Sequence, residues 1–245
     1  MNTHVDFLPA SADFAVTSAG MRVDFYTGDE VRALRRGDGR ELARVVDWCE
    51  QVLGRPSGLV GRTGNVCPFV PEAMMRGSLR FALIVLRARG LAAVAEIEQI
   101  ISACREHFLL KEKRKGQMDI FASMVMVLPD ITKEEAPTVI DPSQRKFKPL
   151  FIQEGLMLGE FHPLSRTSGL RNPAFRPLRS PVPLLAIRHM VESDIDFLVA
   201  PSDPPQTRLK SIKAFLQFLG SSLSIATQVK AKEALKSAQA ELNAA

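Results

Sequence analysis

Apolar residues recur at helical spacing in two stretches of the chain. In residues 40–53 they fall on one side of a helix, and Gly54 and Pro56 follow where that helix would end. In residues 91–108 a second apolar stripe alternates with polar and charged positions. The spacing therefore predicts two amphipathic helices, each with one face against the core of the protein.

Four short apolar runs have the length and composition of buried strands. They occupy residues 79–86, 121–128, 156–161 and 184–187. Helical patterns stand between them at irregular intervals, with no repeating crossover unit and no internal repeat. This order favours an α+β fold, in which a mixed or mainly antiparallel sheet is covered by helices, over a Rossmann or barrel fold.

Asp141 followed by Pro142 is typical of a helix start, because a carboxylate caps the first turn and proline suits the first helical position. The helix is expected to run toward Gly155. Asp141 is thereby interpreted as a capping residue.

The same patterns divide the chain into three parts. Residues 1–37 lack sustained periodicity and are interpreted as an N-terminal arm. Residues 38–228 are long enough to bury one substantial core and are expected to form a single α+β domain. Residues 229–245 are rich in alanine, lysine and glutamate, which predicts a marginal helical tail.

Composition and cysteine usage favour a cytoplasmic globular protein. Hydrophobic residues make up 46% of the 245 residues and charged residues 24%, which is ordinary for a globular chain. No apolar run reaches the about 18 residues that a membrane span requires, and the first residues do not resemble a secretory signal. The three cysteines are too few, and odd in number, for a disulfide framework.

The net charge of +5 makes nucleic acid the first partner to consider. A nucleic-acid surface usually combines basic residues with exposed aromatic residues or carries a recognisable motif. The chain contains one tryptophan, one tyrosine and no such motif. The expected partner is therefore a small-molecule substrate and neither nucleic acid nor a membrane, while homo-oligomerisation stays open.

The segment 161–191 combines five arginines with a complete lack of aspartate and glutamate. Its prolines prevent regular secondary structure over most of its length. Guanidinium groups bind carboxylate and phosphate through paired hydrogen bonds, and a long irregular stretch within a compact domain is typical of a site. The segment is predicted either to bind an anion or to form a basic surface loop paired with acids elsewhere. The five arginines are Arg166, Arg171, Arg176, Arg179 and Arg188.

His162 follows the strand predicted at 156–161 and precedes Pro163, so its ring is expected to be held at the strand end. A histidine in such a place can ligate a metal or haem iron through one nitrogen while a neighbouring group orients the other. A purely structural role is the alternative. His189 is expected to brace the corner that follows the strand at 184–187.

Cys67 precedes Pro68 in a turn-like segment, where a reactive or ligating thiol is sometimes found. Cys49 and Cys104 lie on the apolar faces of predicted helices and are expected in the core. No histidine is near Cys67 in the sequence, so a structural role is favoured over that of a catalytic nucleophile. The glycine-rich stretch 54–64 matches neither a P-loop nor a dinucleotide fingerprint and is interpreted as a flexible connection.

Two groups of motifs resemble the YqcI/YcgG-like family. The first is Val66-Cys67-Pro68-Phe69-Val70-Pro71 with Gly77-Ser78-Leu79-Arg80-Phe81. The second is Glu160-Phe161-His162-Pro163 with Phe175-Arg176-Pro177-Leu178-Arg179-Ser180-Pro181 and Ala186-Ile187-Arg188-His189. Characterised members of that family are haem-dependent N-oxygenases that act on amino-acid-type substrates, often in the biosynthesis of natural products.

The resemblance implies haem b as the cofactor and an iron-containing oxidoreductase as the class of protein. His162 lies nearest the histidine of the family, which makes it the candidate axial ligand to the iron. Arg176, Arg179 and Arg188 become the candidates to bind the haem propionates or a substrate carboxylate.

These observations lead to two functional hypotheses. The first is a haem-dependent monooxygenase that oxidises a nitrogen of a small amino-acid-type substrate, with a redox partner as a source of electrons. The second is a non-catalytic or thiol-dependent module that binds a phosphorylated or acyl-thioester ligand through the same arginines. A haem absorption band in the purified protein distinguishes the two.

Overall fold

The computed structural model describes residues 15–18, 21–34, 39–115, 118–201 and 203–244. These residues form two compact units. The first holds the described residues of 1–144 together with Gly159–Ile187, and the second holds Arg145–Leu158 with the described residues of 188–245. The boundaries of an arm, a domain and a tail that the sequence suggests stay predictions.

Strands and helices follow one another irregularly along the described residues. The strands are β1 (Ala15–Ser18), β2 (Met21–Asp24), β3 (Leu79–Leu83), β4 (Ser123–Val127), β5 (Leu156–Phe161) and β6 (Leu184–His189). The α-helices are α1 (Gly28–Ala33), α2 (Gly39–Trp48), α3 (Val70–Met75), α4 (Ala93–Lys115), α5 (Ala136–Gln153), α6 (Ile195–Leu198), α7 (Pro205–Leu219) and α8 (Ile225–Ala244).

The strands form two small sheets. β1 and β2 are an antiparallel pair, and the other four strands have the order β3-β4-β6-β5. β3 and β4 run parallel, with Leu79 opposite Ser123 and Leu83 opposite Val127. β4 has a strand on each side, and every residue of it after Ser123 is buried, which explains its continuous apolar sequence. The fold is α+β with one antiparallel and one mixed sheet packed with helices, and the predicted fold class is confirmed.

The two long helices predicted from apolar spacing are both present. α2 continues at Cys49–Leu53 as a π-helical turn, so the helical stretch covers the predicted range 40–53. α4 extends past residue 108 to Lys115, because the charged residues after the apolar stripe continue the helix. The alanine-rich C-terminal residues form most of α8, in which Ala231 and Ala238 are buried.

Part of the segment interpreted as an arm has regular structure. β1, β2 and α1 lie within it, and Val16, Val23 and Val31 are buried. A capping box begins α1, in which Thr27 Oγ1 accepts a hydrogen bond from the Glu30 amide and the Glu30 carboxylate accepts one from the Thr27 amide. The other parts of the predicted arm, residues 1–14, 19–20 and 35–37, lie outside the described residues.

The prediction that a helix starts at Asp141 is wrong. An upstream capping box sets the start of α5 at Ala136: Thr132 Oγ1 accepts from the Glu135 amide at 3.2 Å, and the Glu135 carboxylate accepts from the Thr132 amide at 2.9 Å. Pro142 therefore lies inside the helix, where it has no N–H to donate to the preceding turn. Asp141 is left free for a contact outside its own helix.

Each unit has its own apolar core. In the first unit Val45 and Val46 of α2 and Phe81 of β3 are fully buried. In the second unit Ile212 and Phe215 of α7 belong to a cluster that also contains Ala231 of α8. None of the described helices has the length and apolarity needed to cross a membrane.

Candidate functional site

His162 lies directly after β5 and is held there through its backbone. Its amide donates to the Leu178 carbonyl at 3.2 Å, and its own carbonyl accepts from the Ser165 amide at 3.1 Å. The residue is 1% exposed. These hydrogen bonds tie the strand end to the irregular segment that follows it, so the imidazole is fixed inside the first unit, as the sequence predicts for a strand end.

The two ring nitrogens of His162 have different environments. Nε2 lies 3.0 Å from Asp141 Oδ1, whose side chain is 28% exposed. Nδ1 is buried and has no hydrogen-bond partner among the described residues. When Nε2–H donates to the carboxylate of Asp141, Nδ1 of the neutral ring carries a lone pair. A carboxylate that orients one nitrogen while the other is available is the arrangement seen around metal-ligating histidines.

Sequence reasoning missed Asp141 as a member of this site. Its position before Pro142 suggested a local capping role, whereas its carboxylate contacts a residue 21 positions later in the chain. The available signal was that the segment 161–191 has no acid of its own, so an acid that orients its histidine must come from elsewhere in the chain. The fold supplies that acid from α5.

Phe161, the residue before His162, is fixed by an aromatic contact. Its ring meets that of Trp48 edge to face, with centroids 5.8 Å apart and planes at 72°. Trp48 is the last residue of α2, so the contact anchors the strand end to that helix. The imidazole therefore extends from a strand end with little freedom to shift.

Arg176 and Arg179 lie in the irregular segment and donate to backbone carbonyls. Arg176 Nη1 donates to the carbonyls of Pro173 and Phe175, and Arg179 Nε donates to the Ser165 carbonyl at 3.1 Å. Neither guanidinium pairs with a carboxylate of a described residue. Because Ser165 also donates to His162, Arg179 is linked to the histidine through one residue.

Arg188 is placed differently from the other two candidate arginines. It belongs to the second unit. Its Nη1 and Nη2 lie 2.7 and 2.6 Å from the two carboxylate oxygens of Asp194, and Nη1 also donates to the His189 carbonyl at 2.8 Å. Asp194 is fully buried and accepts a further hydrogen bond from the Val191 amide. The paired geometry gives Arg188 a structural carboxylate partner within its own unit.

A cleft in the first unit has a volume of about 860 Å³. Its lining combines apolar residues of α1 and α2 with two arginines and two acids. They are Val31, Arg32, Leu34, Gly39, Arg40, Glu41, Ala43, Leu83, Pro129 and Asp130. His162 does not line it. A group of three or more histidine, cysteine, aspartate or glutamate side chains that could hold a metal ion is also absent from the ranges that the structure covers.

The three cysteines are free thiols with different exposure. Burial raises the pKa of the Cys104 thiol to about 12 and also raises the pKa of the Cys49 thiol. Cys67 is only half-buried. The predicted core positions of Cys49 and Cys104 are confirmed.

Alkylation is expected to distinguish Cys67 from the other two thiols. With iodoacetamide at about pH 8, a thiol of pKa about 12 is a thiolate in only about one molecule in ten thousand, and the thiolate is the reacting form. Peptide mass mapping of the native protein should therefore find the adduct on Cys67 and leave Cys49 and Cys104 unmodified. Early labelling of Cys104 would contradict this ordering, and urea-unfolded protein, in which all three should react, is the control.

Comparison with known proteins assigns a family and no activity. The model of DUF6875, described as a domain of unknown function, matches residues 42–230. Neither the curated proteins nor the solved structures contain a match to the chain. The matched range covers more than half of the 245 residues and includes α2 from Leu42 onward, the whole β3-β4-β6-β5 sheet and the irregular arginine-rich segment. The chain therefore belongs to the DUF6875 family.

Proposed function

We propose that this protein is a haem-dependent oxygenase that oxidises a nitrogen of a small amino-acid-type substrate. One observation supports the proposal most strongly: the buried His162 has one ring nitrogen against Asp141 and the other without a hydrogen-bond partner among the described residues. A buried polar atom without a partner costs free energy. Ligation to iron would remove that cost. The choice of haem as the cofactor in this proposal rests on the resemblance to the YqcI/YcgG-like family.

The surroundings of His162 fit the role of an axial ligand. With Nε2–H donating to Asp141, the lone pair of Nδ1 is available for a metal. Imidazole binds metals through either nitrogen. Haem, when bound, supplies the activation of dioxygen. The residues of this chain fix the imidazole ring of His162, hold one proton between Nε2 and Asp141, and keep water from the buried Nδ1.

Two of the three candidate arginines suit an anionic group in this proposal. Arg176 and Arg179 belong to the same unit as His162, and neither pairs with a carboxylate of a described residue. They are the proposed partners of a propionate or of the carboxylate of the substrate. Arg188 already pairs with Asp194 in the second unit, so the proposal assigns it a structural role.

An absorption spectrum provides the test. His162 is 1% exposed and does not line the large cleft, so haem binding requires the neighbouring irregular segment to rearrange. Haem is therefore added both to native protein and to protein refolding from urea, and excess haem is removed by gel filtration. A Soret band of histidine-ligated haem that elutes with the protein is expected in the refolded sample. Elution of the refolded protein without the band would overturn the proposal.

A second function is favoured by the arginines themselves. Guanidinium groups without a carboxylate partner also suit a module that binds a phosphorylated or acyl-thioester ligand. Calorimetric titration with inorganic phosphate and with coenzyme A separates the two functions, since the oxygenase proposal requires the haem band and the module does not. Replacement of Arg179 by alanine should weaken phosphate binding by about tenfold if the module is correct.

A further inference from the structure

Two irregular segments of the first unit pack against each other and share an unusual composition. Residues 54–69 and 162–183 contain no aspartate, glutamate or lysine, yet they contain six arginines. The arginines are Arg55, Arg62, Arg166, Arg171, Arg176 and Arg179. We call the surface formed by the two segments the arginine surface.

Specific contacts join the two segments. Asn172 Nδ2 donates to the Leu59 carbonyl at 2.9 Å. Gly61 has a φ of +73°, and a Cβ at this position would lie 3.0 Å from Arg171 Cβ and 3.3 Å from the Arg171 carbonyl oxygen. Only glycine suits this conformation and this close approach. The glycine-rich stretch interpreted as a flexible connection therefore contributes one side of a built surface.

The arginines of this surface lack the carboxylate partners that several arginines have elsewhere in the first unit. Arg32 pairs with Glu50, Arg44 with Glu41, Arg76 with Glu72 and Arg89 with Asp130. By contrast, the side chains of Arg55, Arg166 and Arg171 are exposed and make no hydrogen bond or ion pair with any described residue. Arg62 donates to the carbonyls of Thr63 and Val66, which leaves its positive charge uncompensated.

Exposed leucines lie among these arginines. Leu59 is 58% exposed, Leu170 is 56% exposed and Leu164 is 43% exposed. Leu59 and Leu170 belong to the two contacting segments, close in sequence to the residues that join them. Arginine together with apolar side chains is typical of protein–protein interfaces, where arginine is one of the residues that contributes most to binding.

We propose that the arginine surface docks an acidic protein, whose aspartate and glutamate side chains pair with Arg55, Arg62, Arg166 and Arg171. The use of arginine without a single lysine favours carboxylates that are bound in pairs, whereas membrane-binding basic segments use lysine and arginine alike. Nucleic acid is disfavoured because the two segments expose no aromatic residue for base stacking: their aromatic residues, Phe69 and Phe175, are partly buried. The proposal does not depend on haem.

Fluorescence anisotropy of the full-length protein with a labelled peptide of repeating Glu-Glu-Leu tests the proposal. The peptide should bind, its affinity should fall as salt is added because exposed charges are screened, and the same peptide with Gln in place of Glu should not bind. Arg171→Glu and Arg166→Glu should each weaken binding about tenfold. Both side chains are exposed and unpaired, so the variants should fold normally. Arg145→Glu, at an exposed position of α5, is the matched control and should bind like the wild type.

Binding of the two competing kinds of partner, nucleic acid and membrane, is measured in the same experiment. Tighter binding to a single-stranded oligonucleotide or to phosphatidylserine vesicles than to the acidic peptide would overturn the assignment to a protein partner. Equal loss of affinity in Arg145→Glu would also overturn it, because the effect would then reflect net charge. The protein is used without added haem throughout. Failure to bind the acidic peptide therefore leaves the haem proposal unaffected, and failure to bind haem leaves the docking proposal unaffected.

Discussion

Replacing His162 by alanine should abolish the Soret band of histidine-ligated haem in protein refolded with haem. The proposed bond to iron comes from Nδ1 of His162, and the other described histidine of the first unit, His107, lies in α4. Alanine removes both the ligand and the buried ring. Spectra are therefore compared at equal concentrations of folded protein, measured by circular dichroism and by a urea unfolding curve.

Asp141→Asn provides the variant that keeps the ring in place. Loss of the carboxylate removes the charge that orients Nε2–H, so the haem affinity should fall by about 10- to 100-fold. His189→Ala is the control, since its ring belongs to the second unit and should leave the band in place. A full Soret band in His162→Ala, or an equal loss in His189→Ala, would remove His162 as the ligand.

Much of the fold could be predicted because buried strands are rich in apolar residues. β4 is apolar after Ser123, β5 begins with three buried apolar residues, and the predicted ranges contain both strands. The start of α5 could not be found in the same way. Two capping patterns compete within ten residues, and the one at Thr132 and Glu135 forms while Asp141 contacts a side chain far away in sequence. Local patterns cannot rank such alternatives, because the deciding contact is tertiary.

The candidate site shows the same limit. The position of His162 at a strand end follows from the strand pattern before it and from Pro163, which prevents the strand from continuing. Its burial could not be predicted in this way. The identity of the orienting acid does not follow, since it depends on how α5 packs. Likewise, the arginines could be grouped by composition, but only the structure assigns Arg188 to a unit separate from Arg176 and Arg179.

Glycine was the most misleading signal in the sequence. The stretch 54–64 was interpreted as a flexible connection because its glycines match no ligand-binding fingerprint. Gly61 instead permits a close approach to Arg171 at a positive φ. The sequence does not distinguish a glycine needed for close backbone packing from a glycine that allows flexibility. The distinction depends on the contacting segment, which is more than a hundred residues away along the chain.

Asp194→Ala is expected to cause the largest loss of stability in the second unit. Asp194 is fully buried and its carboxylate accepts hydrogen bonds from Arg188 and from the Val191 amide. Its removal leaves the guanidinium, which is one third exposed, without its carboxylate and removes the acceptor of the partly buried Val191 amide. The free energy of unfolding should fall by about 3 kcal/mol.

Urea unfolding monitored by circular dichroism provides the measurement, and Asp196→Ala is the matched control. Asp196 lies two residues away and pairs with Lys230, but both side chains are well exposed, so water screens the pair. Its loss should cost less than about 1 kcal/mol. If the two variants unfold at the same urea concentration, burial does not strengthen the Arg188–Asp194 pair. The structural role assigned to Arg188 would then be wrong, and Arg188 would again be a candidate to bind an anion.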